Sequence, residues 1–340
     1  MRFEFYHAGI DKVPKLSVDG TVAHSVHFSH WQGNQTPPEV KADTSTEIAL
    51  NLVVSPHRSR LTQNIELVTN NHFDTDGVLS VWTVLTGERA LEFRELLISA
   101  AEAGDFSELT NENAVRTSIA IQGSDQASPG VEAGSPLARY VAGEIVDDDA
   151  RSYELVLPEV AHLLTKINDY EPLWRDGWER VAKALESFER GVSQVREQTE
   201  SKLSIVTLAP EIFSGSGFNP TRHAAPYTAI SHYARGTLYL IGVPTVQGWY
   251  YRFDYPYYSW AETVVRPHVE RRDFTRILEG LNEIEPNRSG RWELDNGEMT
   301  SAVKFLDQQR TLAASRLEPD EVANVLVART SVSATANFVL

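Results

Sequence analysis

The sequence IELVTNNHFDTDGVLS, residues 65–80, passes from a short β-like run into a polar loop and then into an apolar helix. The run from Ile65 to Thr69 favours a strand, and helical periodicity follows from Val78 to Leu85. Strands that alternate with helices predict an α/β fold built on a parallel sheet. In such a sheet the loops at the carboxyl ends of the strands line the ligand crevice, so this loop is the first place to look for chemistry.

Three polar side chains of the loop are spaced to converge. His72, Asp74 and Asp76 alternate with Phe73 and Thr75, so in an extended segment all three project to one side. Two carboxylates and one imidazole close together are favourable around a cation, and this donor set suits Mn²⁺ or Mg²⁺. We therefore predict a divalent-metal site here.

A simpler interpretation stays open for the same residues. Aspartate is common in turns and at helix N-caps, where its carboxylate accepts backbone amide hydrogen bonds without any metal. The strand before the loop and the apolar helix after it favour the metal interpretation.

The segment from His72 to Ser80 resembles the first signature of the DHH phosphoesterase superfamily, His-x-Asp-x-Asp-Gly-x-x-Ser. That superfamily includes RecJ-like exonucleases, oligonucleotide and cyclic-dinucleotide phosphodiesterases, and pyrophosphatases. The resemblance implies that His72 and Asp74 bind one metal ion and that Asp76 binds a second. It also implies that Asp74 and Asp76 are catalytic and that Ser80 fixes the loop beside the substrate.

The second hallmark of the superfamily, Asp-His-His, is absent from this chain. Further ligands must come from elsewhere, and we predict Asp105 as a metal ligand. Residues 147–149, His223 and His232 are weaker candidates. Two alternatives follow: a rebuilt metal site, or a non-catalytic binding or assembly protein that keeps the DHH-like fold with an incomplete site.

The length of 340 residues favours two domains. We expect an α/β domain at 1–200 that carries the His72 loop and a smaller α+β domain at 201–340. Members of the superfamily use a second domain with arginines to hold substrate, and we predict that Arg266, Arg272, Arg288 and Arg291 contact substrate here. Surface charge is the simpler account of the same arginines.

Composition limits the partners. The 31 Lys and Arg residues against 47 Asp and Glu residues give a formal charge of −16, which argues against binding long nucleic acid and leaves a small anionic substrate. The chain has no Cys, no long apolar run and no leader-like N-terminus, so we expect a cytoplasmic protein that does not enter a membrane. The sequence does not indicate an oligomeric state.

Two local expectations bear on the site. The pattern from Glu88 to Ala103 predicts a helix that Gly104 would end, and His30 and Trp31 are assigned to packing.

The sequence as a whole predicts a metal-dependent hydrolase of phosphate esters or anhydrides that acts on a small nucleotide or phosphorylated metabolite. A metal enzyme of different chemistry remains the further alternative, because a cation site alone does not name the bond that is broken.

Overall fold

The structure is a computed structural model that describes residues 1–124, 134–210, 226–294 and 301–328. The chain forms two units. The first comprises Met1–Arg180 together with Trp260–Pro267, and the second comprises the described residues of Val181–Ser259 and His268–Leu340. The predicted α/β class is confirmed, since one unit holds a parallel sheet and the other a mixed sheet.

The sheet of the first unit has four parallel strands in the order β1-β4-β2-β3. Their bounds are β1 (Arg2–Phe3), β2 (Lys15–Val18), β3 (Val26–Phe28) and β4 (Leu67–Thr69). Every residue of β2 and β4 is buried, as expected of central strands covered on both faces. Leu16 of β2 is in register with Val68 of β4 and with Val26 of β3, so the three strands end at one edge.

Helices surround this sheet, and α1 and α3 pack closely on each other. Their bounds are α1 (Ser45–Val54), α2 (Arg58–Leu61), α3 (Thr75–Thr86), α4 (Arg94–Phe106), α5 (Glu112–Gln122), α6 (Pro136–Ala142), α7 (Asp149–Val156), α8 (Val160–Thr165) and α9 (Glu171–Glu189). The boundary between the two units falls within α9. Thr44 caps α1 by accepting a hydrogen bond from Glu47 N at 3.2 Å. Leu50, Leu79 and Ala100 are fully buried in the core between these helices and the sheet.

The predicted helix from Glu88 to Ala103 is wrong at both ends. A 3₁₀ segment occupies Gly87–Phe93, and α4 runs through Gly104 to Phe106 before Ser107 ends it with φ of 51°. Gly104 serves close packing, because a Cβ at this position would lie 2.8 Å from Thr75 Cβ at the start of α3. The additional turn places Asp105 inside the helix, next to the first turn of α3.

The second unit is built on a six-stranded sheet in the order β5-β6-β7-β8-β10-β9. The strands are β5 (Gln194–Gln198), β6 (Leu203–Thr207), β7 (Leu238–Thr245), β8 (Gly248–Asp254), β9 (Gly290–Leu294) and β10 (Ser301–Asp307), and the helices are α10 (Tyr227–Tyr233), α11 (Thr275–Ile284) and α12 (Pro319–Ala328). Strands β6 and β7 are parallel and the other pairs are antiparallel. Trp292, Phe253 and Phe305 fill its core.

In the described part of the chain, the helices are too short or too polar to cross a membrane.

Candidate metal centre

Three neighbouring strands of the parallel sheet end in polar residues. Asp19 directly follows β2, His30 lies just beyond β3, and the loop that carries His72 and Asp74 follows β4. Because β2 pairs with both β3 and β4 in parallel, these side chains emerge at the same edge of the sheet. The loop predicted from the sequence thus meets two polar residues that are distant in the chain.

Two helices bring further carboxylates to this edge. Asp74 is the N-cap of α3, where its Oδ1 accepts a hydrogen bond from Gly77 N at 2.8 Å, and Asp76 lies in the first turn of the same helix. Asp105 lies in the last turn of α4. The helix cap that the simpler interpretation predicted is therefore present, and the second oxygen of Asp74 faces the cluster, where it would be available to a cation.

The inner group consists of Asp19, His30, Asp76 and Asp105, which are all buried. Its centre is His30 Nε2, which lies 3.1 Å from Asp105 Oδ2, 3.5 Å from Asp19 Oδ1 and 3.8 Å from Asp76 Oδ2. One ligand atom from each of the four residues lies within 4.8 Å of the others. Such an arrangement offers up to four protein ligands to one cation.

The outer group consists of Asp19, His72 and Asp74. His72 Nε2 lies 2.8 Å from Asp19 Oδ2 and 3.2 Å from Asp74 Oδ2. The side chains of His72 and Asp74 are 27% and 28% exposed, whereas that of Asp19 is 1% exposed. The outer group therefore faces solvent with three protein ligands, and Asp19 belongs to both groups.

In each imidazole, an oxygen atom next to Nδ1 fixes the orientation of the ring. His30 Nδ1 lies 2.6 Å from the backbone oxygen of Asp43, and His72 Nδ1 lies 3.0 Å from Asn71 Oδ1. An acceptor at Nδ1 keeps a proton on that nitrogen, so Nε2, which faces the carboxylates, is the nitrogen that would exchange its proton for a cation. Metal-binding histidines are typically held in this way.

Three buried atoms at the centre of the cluster have no hydrogen-bond partner of acceptable geometry: Asp19 Oδ2, His30 Nε2 and His72 Nε2. These atoms lie close together as charged pairs without well-directed hydrogen bonds, and a cation placed between them would satisfy all three. Four carboxylates also face only two imidazoles here. A divalent cation would meet both requirements, and the oxygen and imidazole donors fit one such as Mn²⁺.

Asp76 has a structural role as well. Its carboxylate accepts hydrogen bonds from Ser45 N at 2.6 Å and Thr46 N at 2.7 Å, and so satisfies amides at the N-terminus of α1. Ser45 Oγ also donates to Asp19 Oδ1 at 3.0 Å. The start of α1 is thereby joined to the inner group, and Asp76 has less freedom to bind a cation than Asp105.

The electrostatics of the cluster reflect its burial. Burial raises the pKa of Asp76 to about 6, with Asp19 adding to the shift, and burial followed by the charge of Asp76 raises the pKa of Asp105 well above its usual range. Burial alone would lower the pKa of His30, but the carboxylates of Asp105, Asp76 and Asp19 outweigh it and raise that pKa to about 10. Without a cation, protons on these groups balance the negative charge.

The predicted ligands His72, Asp74, Asp76 and Asp105 are therefore brought together by the fold. Ser80 lies inside α3, where its hydroxyl donates to Gly77 O at 2.9 Å. In that position it stabilises the first turn of the helix.

The predicted substrate arginines lie in different places. Arg266 belongs to the first unit, where all three guanidinium nitrogens donate to carboxylates. In the second unit, Arg272 donates to Ser201 O at 2.9 Å. Arg288 and Arg291 line an open groove of 540 Å³ between α11 and β9.

Among the weaker ligand candidates that the structure describes, residues 147–149 and His232 belong to neither group. Asp148 caps α7 by accepting a hydrogen bond from Arg151 N at 2.7 Å. His232 lies in α10 of the second unit, against Tyr233. His223 lies outside the described residues.

Asp19 and His30 are the two cluster residues that the sequence analysis did not select. Asp19 had a usable signal, because Asp19-Gly20 ends the run Leu16 to Val18 just as the His72 loop ends its own strand. His30 was assigned to packing with Trp31, and the rings of Phe106 and Trp260 do pack against it. The pairing of β3 with β2 is what brings His30 into the inner group.

The chain matches the model of one protein family and is weakly similar to a solved structure. The model of a family described as "Family of unknown function (DUF6687)" matches residues 2–336. Among curated proteins, none matches the sequence. Among solved structures, a pGpG-specific phosphodiesterase, PggH from Vibrio cholerae, is similar with 10% identity and a TM-score of 0.31 over 93% of this chain and 98% of that chain. A similarity at this level carries no argument about activity.

Proposed function

This chain belongs to DUF6687, a family of unknown function, and from the site that it carries we propose that it is a metal-dependent hydrolase of phosphate esters or anhydrides. The cofactor would be a pair of Mn²⁺ or Mg²⁺ ions, one in the inner group and one in the outer group. The substrate would be a small nucleotide or a phosphorylated metabolite.

The sharing of Asp19 between the two groups is the observation that carries the proposal. Its Oδ1 faces His30 and its Oδ2 faces His72, so one carboxylate can bridge two cations. Paired cations that share a ligand are typical of phosphatases and nucleases, where they activate water and neutralise charge on the transferred phosphoryl group. The resemblance of residues 72–80 to the first DHH signature supports the same chemistry.

The inner and outer groups would have different roles in the reaction. The inner group is enclosed, so Asp76, Asp105 and His30 would hold their cation away from solvent. The outer group is partly exposed at His72 and Asp74, so the substrate and the attacking water would reach the centre from that side. A site with three protein ligands keeps coordination positions open for water and substrate.

Arginine side chains of the second unit are the proposed phosphate contacts. Arg288 and Arg291 line a groove and, with Arg272, are the proposed contacts to phosphate, since arginine binds such oxygens in a bidentate manner. Arg266 and Ser80 are engaged in bonds inside the first unit, so their contribution would be to hold the loops of the centre. The net charge of −16 favours a small substrate over a long nucleic acid.

Hydrolysis assays on purified protein test the proposal. The protein is supplied with Mn²⁺ and screened against dinucleotides, cyclic dinucleotides, nucleoside phosphates and pyrophosphate. We expect turnover that EDTA abolishes and that Asp19→Asn lowers by about 10- to 100-fold, because the shared carboxylate loses its charge and one of its two oxygens. The exposed pair His162 and Asp169, 2.9 Å apart in the same unit, provides matched controls in His162→Ala and Asp169→Asn.

The outcomes separate the alternatives. Equal turnover by the wild type and Asp19→Asn would remove the hydrolase proposal. Tight Mn²⁺ binding without turnover of any phosphate compound would favour a metal enzyme of different chemistry. Absence of Mn²⁺ binding would favour the non-catalytic binding or assembly protein.

A further inference from the structure

A segment distant in sequence reaches the metal centre of the first unit. Residues Trp260–Pro267, here called the strap, belong to this unit although the chain on either side of them belongs to the second. Glu262 fixes the start of the strap: its amide donates to His30 O at 2.7 Å, and its carboxylate accepts from Gly33 N and Asn34 Nδ2, each at 2.8 Å. The strap is thus bonded directly to the loop that carries an inner-group ligand.

Asp43 joins the strap to His30. Its carboxylate accepts hydrogen bonds from the amides of Val264, Val265 and Arg266, the last two at 2.9 and 3.1 Å. The backbone oxygen of the same residue lies 2.6 Å from His30 Nδ1. The residue that orients this imidazole is therefore itself held in place by the strap.

Arg266 anchors the far end. Its guanidinium donates to Asp43 Oδ2 and Glu102 Oε1 at 2.7 Å, and to both carboxylate oxygens of Glu108 at 2.9 and 2.6 Å. It also lies over the ring of Phe106, 4.6 Å from the centroid. Since the side chain is only 14% exposed, these charge-assisted bonds are sheltered from solvent.

The strap also covers the inner group with an aromatic ring. Trp260 meets the ring of His30 edge-on, with centroids 4.9 Å apart, and its indole N–H donates to Asp105 O at 3.5 Å. Phe106 lies on His30 as well, at 5.7 Å. Two of the four inner-group residues are thus in contact with Trp260.

We propose that the strap retains the inner cation: Asp43 is a positioning residue that holds the His30 imidazole, and Trp260 and Arg266 keep the inner group closed. This inference rests on the proposed two-cation centre. Loosening the strap would free Asp43, let the imidazole turn away from the inner group and expose the cation to water. His72 of the outer group contacts Asp19, Asp74, Asn71 and Trp31, so the outer group would keep its cation.

Release of Co²⁺ measures this effect separately from catalysis. The outer ligand is first removed by His72→Ala, so that only the inner cation remains, and Co²⁺-loaded protein is mixed with excess EDTA while the visible absorbance is followed. We expect Asp43→Asn and Arg266→Met, added to His72→Ala, to release Co²⁺ at least about tenfold faster, which is the usual scale for loss of a residue that supports a metal ligand. The Co²⁺ spectrum of Asp43→Asn should also change, because the imidazole is no longer fixed.

A matched control is Arg116→Met, which removes another arginine of the first unit that pairs with Glu112 and lies over Trp174. It should release Co²⁺ at the parent rate. Trp260→Phe retains an aromatic ring and serves if the Asp43 and Arg266 variants do not fold; it should also release Co²⁺ faster. Unchanged release from folded strap variants would overturn the strap inference while leaving the metal centre intact, whereas failure of the wild type to bind Co²⁺ would overturn the proposed function itself.

Discussion

Nε2 of His72 lies 2.8 Å from Oδ2 of Asp19, and this contact joins the loops that follow β4 and β2. The other oxygen of Asp19 lies 3.5 Å from His30 Nε2. The carboxylate of Asp19 therefore lies between two imidazoles. Each imidazole is oriented by a hydrogen-bond acceptor next to its Nδ1.

The two histidines should control different cations. His72→Ala removes a ligand of the outer group and His30→Ala one of the inner group, so each should lower the Mn²⁺ content by one ion per chain. Asp19→Asn should lower the affinity for both. Elemental analysis after gel filtration gives the stoichiometry, with His162→Ala as the control. An identical loss of both ions in His72→Ala and His30→Ala would contradict two separable groups.

Asp76→Asn and Asp105→Asn should differ in stability. Asp76 holds the amides of Ser45 and Thr46, and an amide oxygen replaces only part of that interaction, so metal-free Asp76→Asn should lose about 1–3 kcal/mol of unfolding free energy. Asp105 has a pKa raised chiefly by burial, so neutralising it should not destabilise the metal-free protein.

Urea unfolding of both variants in EDTA measures the difference, and inner-cation binding should weaken in both. Equal destabilisation of the two metal-free variants would show that Asp76 has no special role at the start of α1.

A buried chain of hydrogen bonds should position the loop that follows β2 and the loop that follows β4. Asn70 Oδ1 accepts from Gly20 N at 3.1 Å, Asn70 Nδ2 donates to Tyr153 OH at 2.9 Å, and Tyr153 OH donates to His72 O at 3.1 Å. Tyr153→Phe should destabilise the protein by about 1–3 kcal/mol and weaken binding at the outer group. Calorimetric titration with Mn²⁺ measures the binding effect, and the exposed Tyr140→Phe is the control. Unchanged affinity would limit Tyr153 to a packing role.

Gly104→Ala should disturb the centre through the packing of α4 against α3. The new methyl group would lie 2.8 Å from Thr75 Cβ, so α4 and α3 must separate, at a cost of about 1–3 kcal/mol typical of overpacking. Asp105 and Asp76 should move apart as a result. Thermal unfolding and Mn²⁺ titration of the variant test this, and wild-type values for both would mean that the helices accommodate the methyl group.

The local pattern predicted which residues of one loop lie together, and it missed other members of the cluster for a physical reason. His72, Asp74 and Asp76 share one loop, so their alternation alone indicates that they converge. Asp105 could be named only as a candidate, because the sequence suggested that Gly104 ended its helix. The structure shows instead that Gly104 lets the helix continue beside α3.

Asp19 and His30 depend on strand pairing, which no local pattern reports. β2 and β3 are four and three residues long and lie far from β4 in the chain. Only the sheet order β1-β4-β2-β3 brings their ends beside the His72 loop. The absent Asp-His-His sequence is thus no obstacle to a cluster of this composition, since Asp19 and His30 supply a carboxylate and an imidazole from two separate strands.

The most direct test of the central claim is anomalous X-ray diffraction from crystals of the protein soaked in Mn²⁺. We predict two anomalous peaks on either side of Asp19, about 3.5–4 Å apart, as in other two-metal sites. One peak should lie among His30, Asp76 and Asp105, and the other should lie beside His72 and Asp74. A structure with Mn²⁺ bound elsewhere, or with none between these residues at saturating concentration, would contradict the account.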